Sequence, residues 1–109
     1  MKREFVRTQT FEKNWAAAGL TDEDLRELEL MLLENPESGA VIPHLSGGRK
    51  IRFAMEGRGK SGGARVVYVD VAIRERIYLL IAYPKNVQTN LTQEQKRVLN
   101  KLITRLKEG

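Results

Sequence analysis

The sequence predicts an α+β domain in which an antiparallel β-sheet, a three-strand meander plus an N-terminal strand, is packed by two N-terminal helices and a C-terminal helix. Three observations lead there. Apolar residues recur at helical spacing in the first third and near the C-terminus. Between Lys50 and Tyr83 the period drops to two. Short links join the strands of that middle stretch, which favours a meander with the helices gathered on one sheet face.

Phe5 and Val6 lie in a short first strand over residues 3–8, and Phe11, Trp15 and Ala18 then mark an amphipathic helix over 10–18. Gly19 is placed to end it. Thr21 and Asp24 have the spacing of a capping box, with Leu20 and Leu25 at the staple positions and three acids in the first turn. Leu25, Leu28 and Leu32 form that helix's apolar stripe, with Met31 beside it, and Asn35-Pro36 stops it. Residues 37–48 form a connector, with Val41, Ile42 and Leu45 expected beneath it. Lys50-Ile51-Arg52-Phe53 alternates base and apolar, so Ile51 and Phe53 point inward. Residues 65–71 and 77–83 are β-branched, aromatic and apolar, and the second run is apolar on both faces, as an interior strand is. Thr92 and Gln95 repeat the capping-box spacing before Leu99, Leu102, Ile103 and Leu106.

A chain of 109 residues makes one domain, 1–109, and its 41% apolar and 30% charged residues exclude wholesale disorder. Cysteine is absent, which excludes a disulfide scaffold, a cysteine zinc site and a thiol nucleophile. His44 is the one histidine, so no metal site or His–His pair is expected, and His44 itself reads as a surface residue. No apolar run has membrane-spanning length and no signal peptide is evident, so a cytoplasmic protein without a membrane partner is expected. The net charge is +5, and its placement is uneven. Residues 48–85 hold nine bases and three acids, a balance of +6, while the remainder carries ten bases and eleven acids. An anionic partner, nucleic acid foremost, suits such a stretch.

Residues 54–61 fit a relaxed phosphate-loop pattern, but Gly62-Gly63 and a strand follow where that motif needs a helix N-terminus. Gly57 to Gly63 reads instead as a basic, glycine-rich hairpin tip able to follow a phosphate backbone. Lys50 and Arg52 leave one sheet face, Arg65 opens the next strand and Lys85 closes the one after. Tyr68, Tyr78 and Tyr83 lie in the same region; those in the core pack, and any facing the cations can stack a base. Cleavage of RNA through its own 2′-hydroxyl needs a base, stabilisation of the phosphorane and an acid. Arginine stays protonated and serves as a clamp, which suits Arg52 and Arg65. Lysine reaches a useful range beside other cations, so Lys50, Lys60 and Lys85 are the candidate bases. Arg49, Arg58, Tyr83 and Asn86 are expected to contact the RNA.

Residues 47–52, the glycine loop, 63–68, 77–80 and Tyr83-Pro84-Lys85-Asn86 together resemble the RelE/ParE superfamily of bacterial toxins, most closely its HigB-like branch. The resemblance also takes in Phe11-Glu12-Lys13, the residues 20–23 helix start and Leu91-Thr92. It implies a RelE-like fold and a toxin that cuts messenger RNA in the ribosomal A site without metal or cofactor. It implies a cognate antitoxin, with promoter DNA bound only through the toxin–antitoxin complex. Lys50 and Arg52 match the family's basic pair, Arg65 its phosphate-clamping arginine and Lys85 the base after the last strand. Asn86 and Val87 depart from the pattern, and the closing helix lacks the tyrosine of some members, so the acid is unassigned, with Lys85 or Lys60 as substitutes. A non-catalytic RNA- or antitoxin-binding module and a ParE-like, gyrase-directed toxin are the alternatives.

Overall fold

The computed structural model describes residues 2–54, 63–85, 87, 88 and 90–109. Its elements run β1 (Glu4–Arg7), α1 (Gln9–Ala17), α2 (Asp22–Glu34), β2 (Ala40–Val41), β3 (Arg49–Phe53), β4 (Ala64–Val71), β5 (Arg76–Pro84) and α3 (Gln93–Glu108), with a 3-10 turn, Ala72–Arg74, between β4 and β5. Local chemistry sets the helix ends. The Thr8 hydroxyl accepts from the Phe11 amide, and Thr21 with Asp24 and Thr92 with Gln95 form complete capping boxes. Gly19 takes the left-handed conformation, φ +78°, after α1.

The sheet has five strands in the order β1-β5-β4-β3-β2. β5, β4, β3 and β2 pair antiparallel, and β1 pairs parallel to β5. The meander stands as expected, and two features go beyond the expectation. β1 and β5 are separated in the chain by α1, α2 and the other three strands, so no hairpin constrains the pair to run antiparallel. β2 is a fifth strand inside the connector, at two residues too short for any alternation to reveal it.

The helices do not share one face. Phe11, Trp15, Leu28 and Leu32 of α1 and α2 pack with Ile51, Phe53 and other residues on one side of the sheet. Leu99 and Ile103 of α3 pack with Val67, Val69, Val71 and Leu80 on the other. The reason lies in β4 and β5, which are buried along nearly their whole length and so need cover on both faces. Ile42 and Leu45 are buried under the connector, whereas Val41 is 57% exposed. Tyr68, Tyr78 and Tyr83 are all buried.

The Tyr68 side chain ties the connector to the sheet. The buried Tyr68 hydroxyl donates to the Pro36 carbonyl at 2.8 Å and accepts from the Gly39 amide at 2.9 Å. A Cβ on Gly39 would stand 2.8 Å from the Tyr68 ring and 2.9 Å from the Lys50 carbonyl, so the approach requires glycine. At the other end of the sheet, Arg3 grips Asp70 with two hydrogen bonds of 2.7 and 3.2 Å. Replacing Tyr68→Phe strands a buried amide and carbonyl; urea unfolding is expected to show a loss of about 1–3 kcal/mol.

Candidate functional site

Strand register places the cations. Ile51 and Phe53 enter the core under α1 and α2, so Lys50 and Arg52, alternating with them, leave on the α3 side. Arg52 stands directly opposite Arg65, and Arg65 directly opposite Tyr83, so these three side chains form one rank across β3, β4 and β5. Arg52 is exposed and Arg65 half-buried. Among the described residues neither meets a carboxylate. Directly opposed like charges are unfavourable in a sheet, and an anion seated between them reverses the sign.

Tyr83 joins this rank because β5 carries an irregularity. The register steps from Val67↔Ile81 to Tyr68↔Leu79, which leaves Leu80 without a partner. Leu80 and Ile81 consequently both pack on the α3 side, and Ala82 and Tyr83 are shifted by one face relative to strict alternation. The Tyr83 side chain is 95% buried, and among the described residues its hydroxyl is the buried side-chain polar atom with no hydrogen-bond partner. Burial pushes its phenol above the ordinary tyrosine range, opposed by the neighbouring Arg65 charge.

The other expected residues fall around this rank. Lys50 is half-buried, its Nζ 3.5 Å from Asn90 Oδ1. Lys85 sits in the turn after β5, its amide donating to the Gly63 carbonyl at 3.3 Å where the chain re-enters β4. Arg49 lies on the opposite face: its guanidinium donates to the Gly39 carbonyl at 2.8 Å and the Glu37 carbonyl at 3.1 Å, with Glu37 itself 3.7 Å away. It thereby braces the connector together with Tyr68. Arg58, Lys60 and Asn86 lie outside the described residues. His44 is exposed, as read from the sequence. Among the described residues no three of His, Asp or Glu converge as a metal site requires.

Sequence reasoning passed over Lys96 and Asn90, which line the same cleft as Lys50. A signal was present. Lys96 falls three and seven residues before Leu99 and Ile103, a cation on the stripe that α3 turns to the sheet.

The Arg52–Arg65 opposition makes Arg52→Ala a stabilising change. At low salt, urea unfolding is expected to show a gain of a few tenths of a kcal/mol, shrinking as salt is added, alongside weaker anion binding. Tyr83→Phe removes a hydroxyl with no hydrogen-bond partner among the described residues, so stability at neutral pH is expected to hold or rise. Burial raises Tyr68 as well as Tyr83, and the folded state holds both protons more tightly than the unfolded chain. Their contribution to stability is therefore expected to be constant below about pH 10 and to be lost above it. Unfolding of Tyr83→Phe across that range should show a shallower fall.

Among solved structures, an arginine double mutant of E. coli toxin RelE in the free state matches with a TM-score of 0.64 at 19% identity, covering 94% of this chain and 99% of that one. The likeness is one of fold: an α+β arrangement with a mostly antiparallel sheet and three helices. Among the described residues no helix is long and apolar enough to cross a membrane. A family model described as the RelE toxin of the RelE / RelB toxin-antitoxin system matches residues 3–108. With a match spanning the sheet, all three helices and the cationic rank, the chain belongs to the RelE toxin family.

Proposed function

We propose that this toxin is a ribosome-dependent endoribonuclease that cleaves messenger RNA in the A site and so stops translation. The observation that carries the reading is the Arg52–Arg65 pair, two guanidinium groups held opposite each other with no carboxylate between them among the described residues. That arrangement costs stability when empty and suits a phosphate when filled.

In this scheme a lysine removes the proton of the 2′-hydroxyl, and the 2′-oxygen attacks phosphorus. The bond to the 5′-oxygen breaks, that oxygen takes up a proton, and the products are a 2′,3′-cyclic phosphate and a 5′-hydroxyl. Arg52 and Arg65 hold the phosphorane's charge, a role suited to fixed guanidinium groups. Lys50, Lys60 and Lys85 supply base and acid, and no metal or cofactor enters the scheme. Arg58 and Asn86 contact the RNA; Tyr83, expected to do so from its place beside the cations, is buried and packs within the sheet opposite Arg65, while Arg49 serves the connector. Family membership implies an antitoxin partner. An acidic antitoxin suits the +6 stretch of residues 48–85, and promoter DNA would be reached only through the complex of the two. A cytoplasmic location follows from a ribosomal target.

Primer extension on a defined messenger in purified ribosomes tests the reading. Cuts between A-site nucleotides are expected with the protein, and a loss of about 100-fold or more with Arg65→Ala. An intact messenger, with the protein shown folded, points instead to a non-catalytic binding module or a gyrase-directed relative.

A further inference from the structure

Between the β2–β3 edge of the sheet and the first turns of α3 lies a cleft of about 240 Å³. Lys50 lines it from β3, Lys96 from α3 and Asn90 from the preceding loop; Val41, Pro43 and Leu91 supply apolar wall. Lys50 and Lys96 are both half-buried, so each is partly desolvated. Among the described residues no acidic side chain lines the cleft, and neither lysine has an ion-pair partner. Two ammonium groups beside an exposed apolar surface, with no acid paired to them among the described residues, match one ligand chemistry well. The phosphate of a nucleotide meets the lysines, and its base lies against Pro43 and Val41, the latter 57% exposed.

Position along β3 links this cleft to the arginine rank. Lys50 and Arg52 are two residues apart on one strand face, about 7 Å. That separation is close to the distance between consecutive phosphates of an extended single strand. A second and larger cleft, about 510 Å³, shares Pro43 and Lys96 with the first and continues along α3 past Glu94, Arg97 and Asn100; there Arg97 is paired with Glu94 at 2.6 Å, so Lys96 is the cation that the two clefts share. Lys96 thus carries the cationic face from β3 across to α3.

We propose that the cleft framed by Lys50, Lys96 and Asn90 is a second nucleotide subsite for single-stranded RNA, holding the phosphate adjacent to the one at Arg52 and Arg65. The inference rests on the RNA reading of the cationic face. It adds to that reading a residue on α3 that extends the grip beyond the scissile bond. Lys96 here binds the flanking nucleotide and takes no part in bond cleavage.

The test measures affinity without chemistry. A fluorescein-labelled 2′-O-methyl tetranucleotide, which lacks the nucleophile, is titrated with the wild-type protein, Lys96→Ala, Lys96→Arg and Lys101→Ala. Lys101 is an exposed base on the same helix outside the cleft, so it reports the general field alone. Lys96→Ala is expected to bind about fivefold more weakly, with a salt slope shallower by about 0.7, the value for one phosphate contact on a single strand. Lys96→Arg should restore binding, and Lys101→Ala should resemble wild type. Equal losses in Lys96→Ala and Lys101→Ala, an unchanged Lys96→Ala, or no binding by the wild type overturns the subsite. So does a loss confined to an acidic antitoxin peptide, which assigns the cleft to a protein partner. Urea unfolding of each variant separates lost affinity from lost fold. Ribosomal cleavage, measured apart, separates failure of the nuclease reading from failure of the subsite.

Discussion

One extra residue in β5 sets the character of the cationic face. Strict alternation along an eight- or nine-residue strand fixes every side chain once one of them is placed. In β5, Ile77 and Leu79 face α1 and α2, so without interruption Tyr83 would join them. Leu80, unpaired in the register, shifts the phase, and Tyr83 arrives beside Arg65 on the α3 side. The same shift turns Ala82 inward, where its backbone amide meets the Asn14 side chain at 3.1 Å and fastens α1 to the sheet. The arginine pair, the buried tyrosine and the seat of α1 therefore share one backbone origin.

The sheet also keeps opposite charges apart. α2 carries Asp22, Glu23, Asp24, Glu27, Glu29 and Glu34 against Arg26 alone, and it lies on the face away from Lys50, Arg52 and Arg65. Separated by the thickness of a sheet, these charges do not quench one another, and an approaching polyanion meets an oriented field. Within the basic face the arrangement runs against stability. Arg52 and Arg65 repel, and the Tyr83 hydroxyl is buried without a partner among the described residues. Local features unfavourable to the isolated fold concentrate where a ligand would relieve them, as is common in binding and catalytic sites.

Much of the architecture was readable because its causes are local. A capping box is a four-residue interaction, so Thr21 with Asp24 and Thr92 with Gln95 announced their helices directly. The alternation of Lys50, Ile51, Arg52 and Phe53 told which side chains point away from the α1–α2 core, and the arginine rank followed once the register was known. Other features depend on partners distant in the chain. Arg49 looked equivalent to Lys50 and Arg52, yet odd and even positions on a strand face opposite ways, and Arg49 meets the connector carbonyls. β2 exists only because β3 lies beside it, and Lys96 gains its meaning from Lys50, forty-six residues earlier.

From local patterning alone come the α+β class, the helix starts, the strands of the meander and the concentration of positive charge in the middle third. Each is a matter of short-range periodicity, capping or composition, and needs no knowledge of what lies across the fold. Tertiary pairing decided the parallel β1, the placement of α3 on the face opposite α1 and α2, the opposition of Arg52 and Arg65 and the cleft that joins Lys50 to Lys96. The physical reason is that register, face and burial are relations between segments. A side chain's neighbours across a sheet are chosen by hydrogen-bonded pairing and by the area two distant surfaces bury together, and neither is a property of either segment by itself.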